Sequence, residues 1–71
     1  MNRQCKRIID YIEDYGSITP IEALQDLGVM RLAARVHDIA SKYGYPIKRE
    51  TVKSRNRYGE TIHYTKYSKA V

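Results

Sequence analysis

The sequence predicts an α+β domain, mostly α, in which three helices lead into a C-terminal two-stranded β-hairpin. Three observations predict it. Apolar residues recur at helical spacing in three successive segments. Residues that stop and start helices separate those segments: Gly16, Thr19-Pro20, Gly28 and Gly44-Tyr45-Pro46. Beyond Pro46, two runs rich in β-branched and aromatic residues flank a polar stretch that contains a glycine.

The first helix is expected over residues 3–15. Cys5, Ile8, Ile9, Ile12 and Tyr15 fall on one face, Asn2 is placed to cap the start, and Gly16 ends it. Ser17-Ile18 is a short extended link able to pair with a later strand as the first strand of a small sheet.

The second helix has the clearest start. Thr19 is the N-cap, Pro20 takes the first helical position, and Glu22 stands three residues after Thr19, which completes a capping box. Ile21, Leu24 and Leu27 form its expected apolar stripe, with Glu22, Gln25 and Asp26 toward water. Gly28 lets the chain turn with positive φ into another helix.

The third helix is expected over residues 30–43. Leu32, Val36, Ile39 and Tyr43 are spaced 4, 3 and 4 apart, with Ala33 and Ala40 beside them. The opposite face presents Arg31, Ala34, Arg35, Asp38 and Lys42, and alanine at 34 allows close approach to a groove. A short capped helix, a glycine turn and a basic second helix form the commonest small device for reading the DNA major groove.

Residues 47–53 and 61–67 read as hairpin strands around the tip Ser54-Arg55-Asn56-Arg57-Tyr58-Gly59-Glu60. Ile47 and Val52 cannot share a face of a regular strand, so either a bulge intervenes or only one of them is core. Residues 68–71 read as a frayed tail. Neither a linker nor a repeat is present, and residues 1–71 are expected to make one domain.

The net charge of +5 is unevenly spread. Residues 1–7 carry three positive charges, residues 8–28 carry five acidic residues with no lysine or arginine, and residues 29–71 carry ten positive charges against three negative. This separation suggests one face turned toward a polyanion. One cysteine cannot form an internal disulfide, and a reducing cytoplasm fits it. No stretch approaches the roughly 20 apolar residues of a membrane span, so no membrane partner is expected.

The order helix, short strand, helix, turn, helix, hairpin resembles winged helix-turn-helix domains over nearly the whole chain. Gly16-Ser17-Ile18-Thr19, Glu22-Ala23-Leu24, Leu27-Gly28, Arg31-Leu32-Ala33-Ala34-Arg35-Val36 and Gly44-Tyr45-Pro46-Ile47 are similar to a series recurring in very small phage and prophage winged helix proteins. The resemblance implies a DNA-binding regulator of transcription or recombination, in the cytoplasm and at the nucleoid. It also implies that the arginine near the start of the third helix, Arg31, either contacts DNA or holds the domain together.

The candidate contacts to double-stranded DNA are Arg31, Arg35, Asp38 and Lys42 on the third helix. Lys53, Arg55, Asn56, Arg57 and Tyr58 join them from the hairpin region 53–60. A guanidinium at 31 or 35 reaches guanine O6 and N7 or a phosphate, and the tip reaches backbone or minor groove. The competing reading makes Arg35 and Asp38 an i, i+3 pair on a solvated face and the tip a charged loop that discourages edge pairing. The seven tyrosines are dispersed and read as core edges with a wet hydroxyl. His37, His63 and Cys5 show neither catalytic grouping nor zinc spacing, so neither an enzyme nor a cofactor is expected. So few contacts favour a homodimer or a larger nucleoprotein assembly. The alternative is a winged-helix protein–protein interaction module.

Overall fold

The computed structural model describes residues 2–70. Three helices, α1 (Arg3–Tyr15), α2 (Pro20–Leu27) and α3 (Leu32–Lys42), precede a hairpin of β2 (Ile47–Arg55) and β3 (Thr61–Lys69). A two-residue strand, β1 (Ser17–Ile18), lies between α1 and α2 and pairs with β3. The sheet is therefore three-stranded and antiparallel in the order β1-β3-β2, not a hairpin alone. Pairing of Ser17 with Ser68 and Ile18 with Tyr67 pins the base of the hairpin to the helices.

The helix boundaries follow their capping chemistry. Asn2 Oδ1 accepts from the Gln4 N–H at 2.7 Å. The Thr19 N–H donates to Glu22 Oε1 at 2.9 Å, and the Glu22 N–H donates to Thr19 Oγ1 at 3.4 Å, closing the expected capping box. Gly28 adopts φ 69° and donates to the carbonyls of Ala23 and Leu24, which ends α2 and redirects the chain.

The core gathers Cys5, Ile8 and Ile12 of α1, Ile18, Ala23, Val29, then Leu32, Val36 and Ile39 of α3, and Tyr67 of β3. The packing departs from several expectations. Of the expected stripe of α2, only Leu27 packs against the core: Ile21 and Leu24 are 57% and 47% exposed, and Ala23 is the fully buried residue. A small side chain at the contact lets α2 lie close to its neighbours, which turns Ile21 and Leu24 toward the hairpin side. Helix α3 starts two residues later than expected, with Val29 buried and Met30 exposed before it. Tyr15 and Tyr43 are exposed, each at the end of its helix.

The hairpin register runs unbroken from Ile47 opposite Lys69 to Arg55 opposite Thr61, so there is no bulge. Ile47 packs against the core, and Val52, on the other face, is only half-buried. Residues 68–70 are not frayed. Ser68 is paired on both sides, and the Ala70 N–H donates to the Pro46 carbonyl at 3.1 Å. Val71, the remainder of that expected tail, lies outside the described residues. Lys69 Nζ lies 3.3 Å from Glu13 Oε1, and the Tyr45 hydroxyl donates to the same oxygen at 2.7 Å. This cluster fastens the end of β3 and the loop after α3 to α1.

Candidate nucleic-acid interface

The solvent face of α3 follows from which residues the core takes. With Leu32, Val36 and Ile39 buried, the 3.6-residue period turns Ala33, Ala34, His37 and Ser41 outward. Ala33, His37 and Ser41 are exposed and Ala34 is half-buried. Arg31 is the N-cap residue, exposed and without a side-chain capping bond, and Lys42 is exposed in the last turn.

Arg35 and Asp38 stand on the flank of this face rather than at its centre. Their side chains are 27% and 25% exposed, and Arg35 Nη2 lies 3.4 Å from Asp38 Oδ2. Arg35 Nε is buried without a partner among the described residues. The guanidinium is thus partly withdrawn and already paired. The sequence raised this i, i+3 pair as the competing reading, and it is present.

A concave groove of about 450 Å³ separates the first turn of α3 from the sheet, lined by Arg31, Ala33, Ala34 and Thr65 among others. The helix face and the hairpin therefore border one surface. Along residues 47–69 seven lysines and arginines stand against two glutamates. Lys53, Arg55 and Arg57 are all exposed, and Tyr58 is 80% exposed. The ion pairs among the described residues join Lys6 to Asp10, Arg35 to Asp38 and Lys69 to Glu13, so none engages the tip.

Asn56 has a different part from its charged neighbours. Its Oδ1 accepts from the N–H groups of Tyr58 at 2.9 Å and Glu60 at 3.1 Å, and its Nδ2 donates to Glu60 Oε1 at 3.2 Å. It shapes the turn, in which Gly59 adopts φ 80°. Grouped by sequence with the expected DNA contacts, Asn56 spends its amide on the turn itself.

Five of the eight acidic residues are carried by α1 and α2. Asp10, Asp14 and Asp26 line a cleft with Tyr11 and Tyr15, whose rings lie 4.6 Å apart. The Tyr11 hydroxyl donates to Asp26 Oδ2 at 2.7 Å; this bond, then burial and nearby carboxylates, pushes its pKa up to about 12. Burial and the bond to Glu13 push Tyr45 up to about 12 as well. No group of three or more acidic, histidine or cysteine residues able to hold a metal ion occurs among the described residues. No helix among them is long and apolar enough to cross a membrane.

Helices, turn and basic hairpin match a family model described as a winged helix-turn-helix domain, over residues 3–70. The chain belongs to this family. Membership in the winged helix-turn-helix family suggests DNA binding. No curated protein and no solved structure gives a significant match.

Two features of this winged helix surface escape the reading of the sequence. The first is the outward position of His37: the stripe Leu32, Val36 and Ile39 implies it through the 3.6-residue period, but the expected basic face places Arg35 and Asp38 there instead. The second is an apolar groove of about 540 Å³ formed by Pro20, Ile21, Leu24, Met30, Ile62 and Tyr64. Its signal was the pair Ile21 and Leu24, which periodicity alone assigns to the core.

Proposed function

We propose that this winged helix protein binds double-stranded DNA sequence-specifically, with α3 in the major groove and the tip of the β2–β3 hairpin on the backbone or in the minor groove. One observation carries the reading. A hairpin bearing exposed Lys53, Arg55 and Arg57 at and beside its tip borders, at Thr65 and Tyr67, the same groove as the first turn of α3, while Asp10, Asp14 and Asp26 line a separate cleft on α1 and α2. Arg31 and Lys42 meet phosphates from the two ends of α3. The role is binding rather than catalysis, and it requires no cofactor.

Control of transcription or of recombination in a phage-type setting, at the nucleoid, is the use that the resemblance to small phage and prophage proteins supports. With so few contacts, binding as a homodimer or within a larger nucleoprotein assembly supplies the affinity one copy lacks. A second reading, a protein-interaction module, is favoured by the exposed groove of Ile21, Leu24, Met30 and Ile62.

Selection of bound sequences from a library of random duplexes tests the proposal. DNA binding predicts a recurrent site within a protected footprint, and a palindromic site indicates the dimer. Failure to enrich any sequence, with no retention of duplex at low salt, supports the interaction module instead.

A further inference from the structure

We infer that α3 reads thymine: the methyl groups of Ala33 and Ala34 pack on thymine 5-methyl groups in the major groove, with His37 contacting the adjoining base edge. This rests on the DNA-binding reading above and names the bases it would recognise.

Guanine is most often read by an arginine or lysine whose donors enter the groove freely. The centre of the α3 face offers none. Arg35 is tied to Asp38 on the flank with its Nε buried. Arg31 and Lys42 stand at opposite ends of the helix, roughly 16 Å apart at 1.5 Å per residue, against a major groove roughly 12 Å wide. Neither therefore stands on the central stretch of the face, which carries no free charged donor.

Between those ends the outward residues are Ala33, Ala34, His37 and Ser41. The Ser41 hydroxyl donates to the His37 carbonyl at 2.7 Å, so its proton is already committed to the helix. Two alanine methyls and one imidazole remain. Alanine keeps the helix backbone close to the groove floor, and its apolar surface matches the one apolar group the floor presents, the thymine methyl. Met30, 85% exposed just before α3, extends the same apolar character.

The test starts from a duplex obtained by selection with the wild-type protein. Each thymine in turn is replaced by deoxyuridine, which removes the 5-methyl and leaves the pairing edge unchanged. The expected result is one or two neighbouring positions at which uracil weakens binding about three- to fourfold each, the effect of one buried methyl. His37→Ala, at an exposed position, is expected to relax the preference at the adjoining base pair with an unchanged unfolding midpoint. Equal binding of the thymine and uracil duplexes at every position overturns the inference. A guanine-centred site whose preference disappears in Arg35→Ala also overturns it and moves readout to Arg35. Binding to no duplex at all overturns the DNA-binding reading itself.

Discussion

Arg35 Nη2 lies 3.4 Å from Asp38 Oδ2 on the flank of α3, with both side chains about three-quarters buried. An i, i+3 pair of this kind contributes about 0.2–0.5 kcal/mol, and the arginine stem adds packing. Arg35→Ala is therefore expected to lower stability by about 1 kcal/mol, read by urea denaturation, without changing the selected DNA sequence. Asp38→Asn removes a carboxylate beside the proposed groove and releases the guanidinium. It is expected to tighten duplex binding severalfold in a gel-shift titration.

At the hairpin tip the charges are exposed and outside the core. The double change Arg55→Ala and Arg57→Ala is expected to weaken binding to selected and random duplexes alike. Every arginine that no longer reaches a phosphate should take roughly 0.9 off the log–log salt slope. Stability should change by no more than about 0.5 kcal/mol. Unchanged affinity and slope would take the tip out of the interface and strengthen the protein-interaction reading.

Asn56 works through the turn. Asn56→Ala removes the acceptor for two backbone N–H groups and one donor to Glu60. A local loss of about 1–2 kcal/mol is expected, seen as faster amide exchange at Tyr58 and Glu60. DNA affinity should fall through the disordered arginines beside it.

The phenols of Tyr11 and Tyr45 have pKa values of about 12, above the usual 10.0. A raised value means that the folded state favours the protonated phenol, so this stabilisation is complete below pH 10 and is lost as pH rises toward 12. Glu13 has the opposite sign. The bond from Tyr45, then Lys69, lowers its pKa below 4.5, so its contribution is present above that pH and fades as pH falls through the lowered value. Tyrosinate absorbance with the unfolding midpoint, followed from neutral to alkaline pH, checks the first; Tyr45→Phe should remove one of the late-titrating phenols.

Much of this architecture was legible because local chemistry and global packing agree. Thr19, Pro20 and Glu22 specify the start of α2, and Gly28 its end, without reference to any distant residue. Ile8, Ile12, Val36 and Ile39 keep helical spacing and are all buried. Ile21 and Leu24 misled because periodicity finds an apolar face but not what covers it; here a short helix makes its close contact through Ala23. The end of β3 was illegible for a related reason, since Ser68 and Lys69 become ordered through partners at Ser17, Lys48 and Glu13, far away in sequence. In the candidate site, the basic tip was visible from composition. The withdrawal of Arg35 and the exposure of His37 follow from the stripe Leu32, Val36 and Ile39, which was legible, but grouping the charged residues as one outward face obscured them.

The salt dependence of duplex binding is the sharpest check on the DNA-binding reading. Arg31, Lys42, Lys53, Arg55 and Arg57 on phosphates predict a log–log slope of roughly −4 to −5, and so a loss of several hundredfold in affinity between about 50 and 200 mM salt. A slope near zero over that range, or no binding at its low end, would contradict it.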